Sequence, residues 1–166
     1  MSILRVDQIQ HSNGTAALTI DSSGRVVSPN IPAFCAGSTQ NTHTTNVSAV
    51  LDFATATINI GGHYNTGTYR FTAPISGVYY FHSTIYTQQG GLTGSICWRK
   101  NGAQYGISDN DAIFLKASGI TPDHTIGSSI MLSLAVNDYI DLCVRAGNPN
   151  LQWYGTHSWF MGYLIG

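Results

Sequence analysis

The apolar positions of residues 31–166 fall into short runs separated by turn residues, and the runs read as strands. They lie at Pro32–Ala36, Val47–Leu51, Thr57–Ile60, Thr68–Thr72, Gly77–Thr87, Gly94–Lys100, Thr125–Leu134, Tyr139–Arg145, Leu151–Tyr154 and Ser158–Ile165. Asn101-Gly102 is a tight-turn signal between Lys100 and a further short run, Ala103–Ile107. About ten short strands at this spacing predict an all-β sandwich or jelly roll.

A strand with one wet face alternates apolar and polar residues, because successive side chains point to opposite sides. Residues 77–87 break that rule. Val78, Tyr80 and His82 fall on one face, Tyr79, Phe81 and Ser83 on the other, and both faces carry large rings. In Ser158–Ile165, Trp159, Met161, Tyr163 and Ile165 oppose Phe160 and Leu164, with Gly162 between the latter two. In Tyr139–Arg145, Ile140, Leu142 and Val144 form an inward set, leaving Tyr139 and Cys143 beside Asp141 and Arg145. A sandwich core consumes one face of each sheet. The surplus faces predict an oligomer, since surface aromatics are common singly and not as repeated faces.

Residues 1–30 form a separate segment. LRVDQIQ and LTIDSSGRVV alternate briefly, the second about the turn Asp21-Ser22-Ser23-Gly24. Leu4, Val6, Ile9, Leu18, Ile20 and Val26 are too few to close a core. The segment is expected to attach to the main domain or to neighbouring chains, with a boundary at Ser28-Pro29-Asn30-Ile31-Pro32.

Composition sharpens this picture. Only 9% of the 166 residues are charged, against about 25% in ordinary soluble domains, and glutamate is absent. The surface is therefore neutral and polar, or covered. A net charge of −1 offers no basic footprint for nucleic acid and no polybasic segment for a membrane. Cys35, Cys97 and Cys143 are widely spaced and odd in number, so buried free thiols are expected rather than a disulfide framework. The opening residues lack the apolar run of a signal peptide and no stretch approaches a membrane span, which sets the expectation of cytoplasmic synthesis.

Spacing adds specificity. Phe53, Asn59, Tyr64, Phe71, Gly77, Tyr79 and Phe81 follow one another in an order that resembles the signature of the C1q globular head, within the C1q/TNF-like jelly-roll superfamily. Pro32-Ala33-Phe34 is similar to that family's opening strand and Lys100-Asn101-Gly102 to its hairpin turn; Ser158, Phe160, Gly162 and Tyr163 are similar to its closing strand. The resemblance covers about residues 31–166. It implies a ten-stranded jelly roll of two five-stranded sheets and a compact homotrimer. Ser83 departs from the pattern, standing where the family usually has a ring, and no Gly-X-Y stalk precedes the domain. The first 30 residues, feeding a trimeric β domain, are similar to attachment segments in structural proteins of tailed bacteriophages. That resemblance implies a virion protein, of head-decoration, fibre or tail-fibre-knob type, contacting other virion proteins through residues 1–30.

Candidate chemistry is sparse. No enzyme motif emerges, and the six histidines lack metal-motif spacing, so no catalytic residue and no cofactor is expected. Asp109 and Asp111 make a candidate calcium loop, as in some members of the family it resembles, weighed against a plain solvated loop. Two aspartates and an amide fall short of the 6–8 oxygens that calcium takes. Trp153, Tyr154, His157 and Trp159, with Asn148 and Asn150 before them, make a candidate carbohydrate site of rings and amides, which would be the receptor-binding tip of a fibre for a host-surface glycan. The competing reading packs the tryptophans into the sandwich or the trimer.

Overall fold

The computed structural model describes residues 5–40, 43–46, 48–87, 94–105, 114–117, 124–145 and 151–166. These form two compact units, residues 1–31 and 32–166.

The first unit is a three-stranded antiparallel sheet of β1 (Gln8–Gln10), β2 (Ala16–Ile20) and β3 (Val26–Val27), in that order. Asp21 builds its β2–β3 turn. Its carboxylate accepts the amides of Ser23 and Arg25 at 2.9 Å each and pairs with the Arg25 guanidinium at 2.7 Å, while Gly24 takes φ +77°. Ile9 pairs with Leu18, and Ile20 with Val26. None of the described residues in this unit is buried, and Val26 keeps 64% of its surface.

The second unit is a sandwich of two antiparallel sheets. Its strands are β4 (Ala33–Gly37), β5 (His43–Thr45), β6 (Thr55–Ile60), β7 (Tyr64–Asn65), β8 (Arg70–Thr72) and β9 (Gly77–Thr87). There follow β10 (Gly94–Lys100), β11 (Ala103–Gln104), β12 (Phe114–Ala117), β13 (His124–Leu134), β14 (Tyr139–Val144) and β15 (Leu151–Leu164). One sheet runs β13-β9-β15-β4-β6, with β5 beside β15; the other runs β11-β10-β14-β8-β7, with β12 beside β10. Each five-strand path thus carries one short extra strand, and no helix occurs among the described residues.

Several boundaries differ from the sequence reading. Of the expected strand Val47–Leu51, Val47 lies outside the described residues and 48–51 do not form a strand: Ser48 sits at φ +64° and Val50 makes an isolated bridge to Cys143. Thr68–Thr72 is cut by Tyr69 at φ +60°, because Asn65 folds the chain back through its side-chain oxygen to the amides of Gly67 and Thr68. Leu151–Tyr154 and Ser158–Ile165 join into one strand, and β5, β7 and β12 are additional. The Asn101-Gly102 turn forms as expected, with φ +53° and +81° between paired Lys100 and Ala103.

The core explains the family spacing. Phe34 stacks on Tyr64 and Phe71, at 4.7 and 5.1 Å between ring centroids, and meets Phe160 edge-on at 4.8 Å. Phe53, Tyr79 and Phe81 are fully buried beside them. Asn59 clamps the β6–β7 turn: its amide donates to the Tyr64 carbonyl at 2.9 Å and its oxygen accepts the Tyr64 amide at 3.0 Å. The Tyr64 hydroxyl then donates to the Phe53 carbonyl, and burial holds its phenol neutral far above the ordinary tyrosine range. Gly162 is set by close approach: a Cβ there would stand 2.3 Å from Phe81 Cδ1 and 2.9 Å from the Tyr80 carbonyl. Gly77 likewise faces Leu164 and the Gly166 carbonyl, with 2.7 and 2.9 Å for a Cβ. Ser83, which stands where the resembled family usually has a ring, is fully buried with no hydrogen-bond partner for its hydroxyl among the described residues.

Of the three strands read as apolar on two sides, β14 closes its second face within the unit. Asp141 is fully buried on that face, gripped by Arg99 through Nε at 2.6 Å and Nη2 at 3.0 Å, and by Arg70 Nε at 2.9 Å. Burial works against the Arg99 charge, and the Asp141 carboxylate more than offsets it, so the guanidinium is held above its ordinary value. Cys143 lies directly across from Cys97, both buried free thiols. A hydrogen bond with Cys97, and then burial, push the Cys143 thiol far up.

Candidate functional site

The other two strands, β9 and β15, lie side by side, and their surplus faces merge. Cross-strand pairs share a face, so register assembles the outer side of the β13-β9-β15-β4-β6 sheet row by row. Met131, Tyr80, Tyr163, Ala33 and Ile60 make one row; Ser129, His82, Met161, Cys35 and Ile58 make the next. Gly127, Thr84 and Trp159 follow, continued by Gly37 and Thr55. Val78 and Ile165 flank the first row.

Inward residues of the same strands are satisfied inside the unit: Tyr79, Phe81 and Phe160 have no exposed surface. The outward ones are not. Met131 is 66% exposed, Ile165 52% and Tyr163 48%, with Val78, Ile58 and Ile60 also exposed. Polar atoms here are turned onto one another. His82 bonds Ser129 Oγ through Nδ1 at 2.8 Å and Thr84 Oγ1 through Nε2 at 3.0 Å, while the Tyr80 hydroxyl meets Ser129 at 2.9 Å. With Tyr80 and Tyr163 rings 5.5 Å apart, these rows form a contiguous carbon-rich surface that contains no Lys, Arg, Asp or Glu. A continuous patch of this kind on a water-facing sheet marks an interaction surface.

The expected carbohydrate residues separate. Trp153 is wholly buried against Phe53, with ring centroids 5.2 Å apart, so it belongs to the core and offers no platform. The reason is parity: Trp153 pairs with the inward Thr87, whereas its neighbour Tyr154 pairs with the outward Tyr86. Tyr154 and His157 do come together, joined by Tyr86, with the three ring centroids 5.4–5.8 Å apart. A bulge between Tyr154 and Trp159 presents them, pinned by buried Ser158, whose hydroxyl donates to the Tyr154 carbonyl at 2.6 Å and accepts the Tyr86 amide at 2.9 Å.

Asn148, Asn150, Asp109, Asp111 and Leu4 lie outside the described residues. Among the described residues no group of three or more His, Cys, Asp or Glu gathers to hold a metal. Of the attachment residues, Val6, Leu18 and Ile20 are half-buried and Ile9 is exposed.

Trp159, read both as one ring of a surplus face and as a member of the C-terminal aromatic cluster, lies on the outer face of its sheet. It walls a small pocket of about 130 Å³ with Gly37, Ser38, Thr39, Thr55 and Thr57. Nothing local in the sequence joins these residues; strand order alone brings β4, β6 and β15 together.

Two antiparallel sheets in this order, with one sheet apolar on both sides, define a jelly-roll module of the C1q/TNF type. The C1q domain matches residues 33–165, and the chain belongs to that family. Among solved structures, the globular domain of zebrafish complement 1qA is 16% identical, with a TM-score of 0.63 over 82% of this chain and 98% of that one. Eiger TNF from S. frugiperda is 13% identical, with a TM-score of 0.62 over 82% of this chain and 94% of that chain. Murine APRIL is 11% identical, with a TM-score of 0.58 over 81% and 99%. At these identities the likeness is one of fold. No curated protein sequence matches the chain significantly.

Proposed function

We propose that the protein is a non-enzymatic, homotrimeric virion structural protein of a tailed phage, with residues 31–166 as the knob and residues 1–30 as its attachment to the particle. The observation that carries the assembly is the apolar outer face of the β13-β9-β15-β4-β6 sheet, where Met131, Tyr163, Val78 and Ile165 remain in water in the single chain. Three copies packed about a common axis would remove that surface. At about 25 cal/mol per Å² of apolar area, such burial is the main favourable term available for association.

The attachment role is supported by the first unit, in which no described residue is buried. A two- or three-stranded ribbon without a covered face is marginal alone and gains stability by contact with other chains. Deleting residues 1–30 is expected to leave a folded trimer that no longer joins particles, as read by sedimentation of assembled virions. A truncated chain that still joins them would refute the anchor.

A second reading makes the knob a receptor- or carbohydrate-binding module at a fibre tip, with the trimer adding avidity. It is favoured by the solvent-facing Tyr86–Tyr154–His157 cluster on the bulge of β15.

A further inference from the structure

We propose that the first unit makes a trimer contact of its own, its apolar sheet face packing against the same face of two further copies of the chain. The proposal rests on the homotrimer put forward above and goes beyond it by naming what covers this sheet. Register sorts the side chains. Leu18 pairs with Ile9 and Ile20 with Val26, and Leu18 and Ile20 share one side of β2, so four aliphatic residues occupy one face. Thr19 pairs with Gln8 and with Val27 on the other face, where the Gln8 and Gln10 side chains bond each other.

In the single chain the aliphatic face stays wet. Ile9 is 51% exposed and Val26 64%, and Leu18 and Ile20 are only half-buried. Strands of 3, 5 and 2 residues hold together only when one face of their sheet is covered. Charge selects an apolar cover. The charged residues described in this unit, Arg5, Asp7, Asp21 and Arg25, stand outside the strands, and Asp21 and Arg25 pair with each other at 2.7 Å. A charged partner surface would lose its water at this face without compensation. Branched side chains with no hydrogen-bonding atom fit a surface of their own kind.

Chain continuity selects whose surface that is. The first unit ends at Ile31 and the second starts at Pro32, so a trimer of the second unit carries three copies of this face wherever it goes. Tethering of that kind sets an effective concentration on the order of millimolar. Four aliphatic side chains fall far short of the roughly 20–30 residues a side of a free-standing interface, so this face needs a partner that is already tethered. Three sheets closing on their aliphatic faces make a three-sided core in which each copy meets two others. Closure leaves the Gln8, Gln10 and Thr19 face outermost, and that polar face is then the one open to the particle.

Hydrogen exchange of the full chain, read by mass spectrometry on peptides spanning residues 16–20, tests this with no particle present. In the parent these amides are expected to exchange about tenfold or more slowly than in Met131→Lys with Tyr163→Lys, which separates the second units and leaves the sequence of the first untouched. Leu18→Lys should lose the protection while its mass stays that of three chains. Thr19→Lys, on the opposite face, should keep it. Light scattering on the same samples tells the failures apart. A monomeric parent overturns the homotrimer and this inference with it. A trimeric parent without protection at residues 16–20 shows that the face awaits a protein of the particle, which overturns the inference alone. So does a monomeric double variant that keeps the protection, since the sheet then stands by itself. Equal loss in Leu18→Lys and Thr19→Lys would overturn the assignment of the face.

Discussion

Phe81→Ala is expected to lower the unfolding free energy by about 3–5 kcal/mol, the usual cost of emptying a fully buried aromatic site. Phe81 sits where the two sheets meet. Its ring centroid lies 5.6 Å from that of Phe71, 6.2 Å from those of Phe34 and Tyr79, and 6.3 Å from those of Trp98 and Phe160. Collapse into the cavity is hindered, because the ring's neighbours are themselves locked. Gly162 leaves room for that ring and for the Tyr80 carbonyl, and Phe34 is held in its stack by Tyr64 and Phe71. Phe81→Leu should cost less, since it leaves a smaller void. Urea unfolding at fixed protein concentration checks both, because an oligomer's stability depends on concentration. A Phe81→Ala midpoint equal to the parent's would remove Phe81 from the core.

Asp141→Ala is expected to be equally severe, at about 3–5 kcal/mol, for an electrostatic reason. Asp141 is fully buried and receives three guanidinium hydrogen bonds, two from Arg99, whose side chain is only 14% exposed, and one from Arg70. Arg70 also stacks over the Tyr139 ring at 4.5 Å. Removing the carboxylate leaves two cations converging on an apolar gap. Most of the expected loss is therefore the penalty of stranded charge, and that makes a second experiment decisive. Replacing all three partners together, as Asp141→Leu with Arg70→Met and Arg99→Met, should recover much of the stability, because the ion cluster itself is near break-even against apolar packing. An Asp141→Ala protein as stable as the parent would show that water reaches the arginines freely.

These two sites differ in how far the sequence announced them. The ring spacing from Phe53 to Phe81 was legible because each position answers a local demand: alternation in β9, the Asn59 clamp, the close approach at Gly162. Which of the two ring faces in β9 turns inward was not legible, since both carry aromatic residues and only the opposing sheet decides. Asp141 read as part of a surplus face, and its arginines stand 42 and 71 residues away in the chain. For Trp153 the sequence left platform and core both open, and the structure takes the core, because adjacent residues of a strand face opposite ways and Trp153 and Tyr154 cannot share a surface. The Trp159 pocket depends on which strands neighbour β15, and no periodicity encodes that. What the pattern did carry was the excess of apolar area in β9 and β15, and in the structure it lies along one continuous sheet face.

Light scattering on the purified chain tests that face most directly. At micromolar concentration the parent should weigh three times its 17.8 kDa chain mass, and Met131→Lys with Tyr163→Lys should weigh one chain while keeping its β-sheet circular dichroism. A parent that is monomeric there, or a double variant that stays trimeric, would contradict the account.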